Sequence, residues 1–144
     1  MTQVDFYILE ETGPRTRMLF ACKLADKVAG MGHKVFVQAE SEDAARELDE
    51  LMWTYHDRSF LPHCLAAEPD KEATVHIGPG AEPAEGFHLL INLGAEVPGF
   101  FSRFERVAEV LDGDEGRKAQ GRERFRFYKD RGYPLKTNQI GGRG

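Results

Sequence analysis

The residues best suited to chemistry form a cationic stripe near the end of the chain, within 115–132. That segment holds seven Lys and Arg residues against three acidic ones, a net charge of +4 in a chain whose total is −5. With about 100° between successive residues of an α-helix, five side chains share one side: Lys118, Arg122, Phe125, Arg126 and Lys129. Such asymmetry predicts that the helix meets an anion, the alternative being a solvated basic face with Phe125 turned into the core.

No catalytic or metal-binding pattern accompanies this stripe. The loop at 10–15, after the first predicted strand, has one glycine and matches neither GxGxxG nor GxxxxGK[ST]. His56, His63 and Cys64 lack a second cluster that would complete a four-ligand metal site. Nothing like GxSxG surrounds Ser59. We therefore expect no cofactor, no metal and no enzymatic activity of the isolated chain.

Length and composition are those of one ordinary soluble domain. The chain has 144 residues, of which 41% are hydrophobic and 30% charged. No segment approaches the run of about 18 apolar residues that a membrane span requires. The first ten residues already show a strand pattern, so we expect no secretory signal. Cys22 and Cys64 are not clustered, which favours reduced thiols and a cytoplasmic location.

The elements that must position the stripe alternate between strand and helix patterns. Strands are predicted at 4–9, 34–39, 75–78 and 87–93, and helices at 15–31, 41–55 and 115–132. We expect an apolar turn at 59–65 and a short helix at 97–104, whereas 106–111 fits either helix or strand. The pattern predicts a single Rossmann-like α/β domain over 1–136, with a mainly parallel sheet and helices on both faces. A flexible tail is expected at 137–144.

The only tryptophan falls on the polar side of the second predicted helix. Taking Leu48 as the centre of the apolar stripe, Trp53 lies about 140° away from it. A large aromatic side chain that points away from the core is typical of a protein interface. The alternative is that the following loop covers it.

Three stretches together resemble the chi subunit of the bacterial DNA polymerase III holoenzyme. They are VDFYIL at 4–9, LDELMWTYHDRSFLPHCLAAE at 48–68 and RERFRFYKDRGYPL at 122–135. The most specific features are the tryptophan followed by the S-F-x-P-H-x-L turn, and the R-E-R-aromatic helix that ends in glycine, aromatic, x, leucine. The likeness extends over nearly the whole chain in the order of its elements.

The resemblance implies a non-catalytic adaptor with a nucleotide-binding type of fold that binds no nucleotide. Such an adaptor links the clamp-loader complex, through the psi subunit, to single-stranded-DNA-binding protein by capturing that protein's acidic C-terminal tail. The tail site implied by the resemblance comprises Leu111, Lys118, Arg122, Phe125 and Arg126, and the implied psi interface comprises Trp53 and Phe60. Phe125 stands where the family commonly has tyrosine, and Arg126 where lysine is usual.

The chemistry of these residues fits such a ligand, a tail rich in aspartate that ends in phenylalanine with a free carboxylate. Arg122 can bind the carboxylate through two parallel hydrogen bonds, while Phe125 and Leu111 flank the terminal ring. One rival is direct binding of single-stranded nucleic acid, which the net charge of −5 and the single stripe disfavour. A nucleotide-dependent enzyme is the other, and it lacks the glycine-rich loop. We expect DNA to be reached only indirectly and no membrane to be bound; whether Trp53 also serves a helicase is open.

Overall fold

A computed structural model describes residues 1–55 and 61–141 of the chain, which form seven strands and three α-helices. The predictions that concern Phe60, His56 and Ser59 lie outside the described residues. In chain order the elements are β1 (Gln3–Leu9), α1 (Pro14–Gly30), β2 (Lys34–Gln38), α2 (Glu42–Thr54), β3 (His63–Leu65), β4 (Val75–Gly78), β5 (Phe87–Asn92), a 3₁₀ turn (Phe101–Arg103), β6 (Arg106–Leu111), α3 (Glu115–Asp130) and β7 (Leu135–Ile140).

The strands form one sheet in the order β3-β4-β2-β5-β6-β1-β7. Every strand pair in the described part of the chain is parallel. The central strands are nearly continuous runs of apolar residues, as expected where a parallel sheet is covered on both faces. The predicted α/β class with a parallel sheet is confirmed.

Each face of the sheet has its own hydrophobic core. On one face α1 and α2 pack through small and aliphatic residues such as Ala21 and Leu48. On the other face α3 and the 3₁₀ turn pack through aromatic residues, including Phe6, Phe101 and Tyr128. Helices therefore cover both faces, and α3 lies on the opposite face from α2.

Capping side chains set the start of two helices. Ser41 caps α2 by accepting a hydrogen bond from the backbone N–H of Ala44 at 3.0 Å. Asp114 caps α3 by accepting one from the N–H of Arg117 at 2.9 Å. The N termini of both helices are therefore fixed by short-range hydrogen bonds.

The structure differs from the prediction in two middle segments, and in a third it selects one of two predicted alternatives. The apolar turn expected at 59–65 contains a short edge strand, β3, which pairs with β4. The helix expected at 97–104 is reduced to the 3₁₀ turn at Phe101–Arg103, because Pro98 and Gly99 do not favour a longer helix. Residues 106–111, whose sequence fits either helix or strand, form the strand β6, which lies inside the sheet between β5 and β1.

The prediction of a flexible tail from residue 137 onward is wrong for residues 137–140. These residues belong to β7, which pairs with β1 from Val4↔Leu135 to Leu9↔Ile140. The sequence LKTNQI has few strand-forming residues, but β1 presents an open row of backbone donors and acceptors that β7 satisfies. The pairing is a tertiary effect that composition does not reveal.

None of the helices in the described residues is long and apolar enough to cross a bilayer.

Candidate functional site

A buried cluster of polar side chains holds α3 against the sheet. Glu109, in the middle of β6, is completely buried and accepts hydrogen bonds from Arg124 Nε at 2.8 Å and from the Tyr128 hydroxyl at 2.7 Å. Asn92 Nδ2 donates to the same carboxylate at 3.0 Å, and an Arg124 terminal nitrogen donates to the Ala95 carbonyl at 2.7 Å. Each of these buried polar groups has a partner, so the cluster fixes the rotation of α3 about its axis.

Sequence reasoning missed this cluster. Arg124 counted as one of the seven cations of the basic segment, but it is buried and its charge is balanced by Glu109. Two signals could have revealed it: Glu109 is a carboxylate within the apolar run RVAEVL, and Arg124 and Tyr128 are four residues apart on one helical face. Burial, and after it the charge of Glu109, raises the pKa of Tyr128 far above its usual value, so the hydroxyl remains a donor.

The turn before α3 is fixed by a second buried carboxylate. Asp112 accepts two hydrogen bonds from the Arg117 guanidinium, at 2.8 and 2.7 Å, and others from the N–H groups of Asp114 and Gly13. Burial alone would raise the pKa of Asp112, but the hydrogen bonds from Arg117 and the backbone outweigh it and lower that pKa. Arg117 is thus committed to the turn.

A pocket of about 310 Å³ lies between α3 and the edge of the sheet formed by β1 and β7. It brings together four of the five residues predicted for the tail site: Leu111, Lys118, Arg122 and Phe125. The remaining lining residues are Phe6, Ile8, Gly121, Thr137 and Gln139. Arg126 is not in the lining, and its side chain pairs with Glu123 at 3.2 Å.

The floor of the pocket is apolar. Leu111 is buried, and the ring of Phe125 packs edge-on against Phe6 with 5.3 Å between centroids. Gly121 faces Leu111 so closely that a Cβ there would lie 2.5 and 2.8 Å from its two methyl groups. Glycine is unfavourable inside a helix, and here it is required because the leucine side chain takes the space of a Cβ.

The rim of the pocket is cationic. Neither Lys118 nor Arg122 has a carboxylate within 4.0 Å in the part of the chain that the structure describes. Arg117, Arg124 and Arg126 all have acidic partners. Lys118 and Arg122 therefore keep their charge available for a ligand at the place where the apolar floor opens to solvent.

The third wall comes from β7. Thr137 and Gln139 pair in register with Phe6 and Ile8 of β1, and all four side chains line the same pocket. Both β7 residues are exposed. Sequence reasoning missed these two residues because it assigned them to a flexible tail.

Trp53 lies on a separate surface, on the helix layer opposite α3. Its side chain is 53% exposed, as the helical periodicity predicts, and its ring contacts that of His63 at 4.3 Å between centroids. It borders an open groove of about 570 Å³ between α1 and α2, which Arg15, Met18, Glu47, Glu50, Leu51 and Thr54 also line. Phe60, the other residue predicted for this surface, lies outside the described residues.

The crevice at the carboxyl ends of the strands, where many α/β folds bind nucleotides, has different chemistry. It measures about 270 Å³, and three carboxylates line it, those of Glu40, Asp43 and Glu47. Asp112 already accepts the N–H of Gly13 at the start of α1, and Arg17 donates through both terminal nitrogens to the Leu93 carbonyl. Arg17 and Arg117 also line the crevice, but Arg17 is bonded to the Leu93 carbonyl and Arg117 to Asp112. No group of three or more potential metal ligands occurs in residues 1–55 and 61–141.

The sequence matches known proteins over nearly its whole length. A family model described as the DNA polymerase III chi subunit, HolC, matches residues 1–136. The chain is 40% identical over 140 residues to DNA polymerase III subunit chi of Pseudomonas aeruginosa, covering 97% of this chain and 98% of that protein. It is 35% identical over 139 residues to the Haemophilus influenzae protein of the same description, covering 95% and 96%. Identity to the Escherichia coli protein is 29% over 143 residues, covering 95% and 97%.

Among solved structures, that of T4 UvsW is similar in fold, with a TM-score of 0.66 and 11% sequence identity. The likeness covers 97% of this chain but only 42% of the UvsW chain. At this identity the likeness concerns the arrangement of strands and helices alone.

Proposed function

Because the chain belongs to the DNA polymerase III chi subunit family, we propose that it is a non-catalytic adaptor that captures the acidic C-terminal tail of single-stranded-DNA-binding protein. The tail would bind in the pocket between α3 and β7. Through a second surface the same molecule would join the psi subunit of the clamp-loader complex, so that DNA is reached only indirectly. In this proposed role the protein would act in the cytoplasm, at the replisome.

One observation carries the proposal: an apolar pocket floor and unpaired cations lie at the same place. A peptide that ends in phenylalanine presents an aromatic ring and a carboxylate a few ångströms apart. The ring fits among Phe6, Leu111 and Phe125, and the carboxylate fits the two parallel donors of Arg122. A volume of about 310 Å³ is at the low end for ligand pockets and suits one aromatic side chain.

The aspartates of the tail would be attracted by the cations around the pocket. Lys118 lies at the rim, and Arg126 and Lys129 are exposed further along the helix. Exposed pairs of this kind contribute about 0.2–1 kcal/mol each and weaken as salt is added. Their main effect is to speed association and orient the peptide.

Direct binding of single-stranded nucleic acid is less well supported by the same residues. Three of the arginines in the basic segment have acidic partners, which leaves a short cationic rim and no extended groove. Tyr128 is fully buried and contacts Phe6, so it cannot serve as a stacking platform without leaving the core.

We assign psi binding to the surface around Trp53. Trp53 is on α2, which packs on one face of the sheet, whereas the pocket is formed by α3 on the other face. Two partners on opposite faces would not exclude one another, which is what an adaptor requires. A helicase at the Trp53 surface would instead compete with psi.

The test is calorimetric titration of an acidic peptide that ends in phenylalanine with a free carboxylate. The wild type should bind at low salt, and amidation of the peptide terminus should weaken binding about tenfold or more, because Arg122 loses its anionic partner. Absence of binding at low salt would overturn tail capture. A filter-binding assay with single-stranded DNA tests the rival, and we expect little retention.

A further inference from the structure

The strand that walls the pocket is also the outer edge of the sheet. β7 follows β1 at the end of the strand order, and no strand covers its other side within the described residues. The opposite edge strand, β3, is only three residues long, whereas β7 has six. An exposed edge strand of this length can serve as a template for pairing with another extended segment.

The direction of the backbone groups in β7 follows from its hydrogen bonds to β1. The Pro134 carbonyl accepts from the N–H of Val4 at 3.0 Å, and the Ile140 carbonyl accepts from the N–H of Glu10 at 3.0 Å. Backbone groups alternate along a strand, so Lys136 and Asn138 also face β1. The N–H and C=O groups of Leu135, Thr137 and Gln139 therefore face away from the sheet.

Thr137 and Gln139 thus combine two properties. Their side chains line the pocket, and their backbone donors and acceptors face the solvent beside it. In residues 1–55 and 61–141 no hydrogen bond reaches the backbone of either residue from outside the sheet. A chain whose last residue lies in the pocket can leave it along this open edge.

We propose that the acidic segment preceding the terminal residue of the captured peptide pairs with the outer edge of β7 as an eighth strand. The inference rests on the proposed function and adds how the peptide backbone is held. Peptides recognised in this way gain affinity from main-chain hydrogen bonds and specificity from pockets for individual side chains.

Charge favours an acidic segment over other occupants of this edge. Lys118 and Arg122 border the pocket on the α3 side, and Lys136 of β7 is exposed. Neither Thr137 nor Gln139 carries a charge that would repel a strand beside it. A basic or apolar strand would gain nothing from the cationic rim.

Amide hydrogen exchange measured by NMR tests the pairing. An acidic peptide of eight residues ending in phenylalanine should slow the exchange of the Thr137 and Gln139 amides about tenfold or more when the protein is saturated, since their N–H groups become bonded. Lys136 and Asn138 already donate to β1 and should change little. N-acetylphenylalanine, which has no preceding segment, should shift pocket resonances without protecting either amide.

Two variants separate backbone from side chain. Thr137→Pro removes an outward N–H without touching the ladder to β1, which an edge strand tolerates. Thr137→Ala keeps that N–H. Both variants lose the threonine side chain, so the comparison isolates the N–H, and we expect the proline variant to bind the octapeptide about tenfold more weakly than the alanine variant.

The outcomes are distinguishable. If no peptide binds, the proposed function fails and the pairing fails with it. If the octapeptide binds but Thr137 and Gln139 remain unprotected, only the strand pairing is overturned. Should Thr137→Pro not fold, a series of octapeptides N-methylated at successive backbone positions takes its place, and affinity losses without a period of two residues would overturn the pairing.

Discussion

The side chain of Leu111 fills the space that a Cβ on Gly121 would need: such a Cβ would lie 2.5 Å from a methyl carbon of the leucine and 3.2 Å from its Cγ. The contact joins the inner side of α3 to the end of β6. It also forms the floor of the pocket, because both residues line it. The packing of the helix and the shape of the pocket therefore depend on the same pair.

Gly121→Ala should reduce peptide binding without unfolding the protein. The new methyl group forces Leu111 into the pocket, so we expect affinity to fall about tenfold or more. The free energy of unfolding should change by only about 1 kcal/mol, since alanine's higher helix propensity offsets the strain. Calorimetry and urea denaturation measure the two effects.

Gly116→Ala is the matched control in the same helix. Its Cβ would meet only a carboxylate oxygen of Asp114, at 3.2 Å, far from the pocket lining. Its peptide affinity should equal that of wild type. Equal affinities for both alanine variants would show that Leu111 does not shape the binding site.

Arg122→Ala and Arg126→Ala should differ although both remove an exposed arginine from α3. Arg122 lines the pocket, so its loss should weaken peptide binding about tenfold or more. Arg126 pairs with Glu123 outside the lining, and its loss should cost about threefold or less. Arg122→Lys should recover little, because lysine cannot form the two parallel hydrogen bonds. Titrations of the three variants at one salt concentration decide the matter.

Glu109→Leu should be strongly destabilising. It leaves the Arg124 guanidinium buried without its carboxylate, which costs about 3–5 kcal/mol. The double variant Glu109→Leu with Arg124→Met removes both charges, and we expect it to be more stable than the single variant. Urea denaturation of the two, with Tyr128→Phe as a milder change of about 1 kcal/mol, provides the test. A double variant no more stable than the single one would contradict this account.

Acid should lower the free energy of unfolding by protonating Asp112. Its pKa in the folded protein is lowered from the ordinary value of 3.8. Because the depressed value belongs to the folded state, the stabilisation is present above about pH 4 and is lost as the pH falls through the folded pKa. Asp112→Asn should therefore be less stable at pH 7, and the gap to wild type should narrow by pH 3. Urea midpoints between pH 3 and 7 measure it, and a constant gap would argue against the proton linkage.

Trp53→Ala should separate the two proposed partners. The side chain is 53% exposed, so thermal stability should change little. Binding of a psi partner, followed by co-purification or calorimetry, should be lost, whereas the acidic peptide should bind as it does to wild type. Loss of peptide binding in this variant would contradict two independent surfaces.

The sequence by itself determined the elements that depend on local interactions. Continuous apolar runs predicted β1 and β5, helical periodicity predicted α2 and the outward position of Trp53, and Ser41 marked the start of α2. These signals are readable because periodicity and capping act over a few residues. The choice of Lys118, Arg122 and Phe125 as neighbours followed from the same periodicity, with the resemblance adding Leu111.

Only the tertiary structure decided what depends on partners distant in sequence. Residues 137–140 look like a polar tail, yet they form β7, because the open edge of β1 offers them hydrogen bonds. Arg124 looks like its exposed neighbours, yet it is buried, because Glu109, fifteen residues earlier, balances its charge. The pocket depends on both pairings, since the Glu109–Arg124 pair sets the rotation of α3 and β7, paired with β1, forms the far wall. Long-range pairing of this kind leaves no local pattern in the sequence. The sequence could therefore indicate residues of the site, but not the arrangement of the pocket around them.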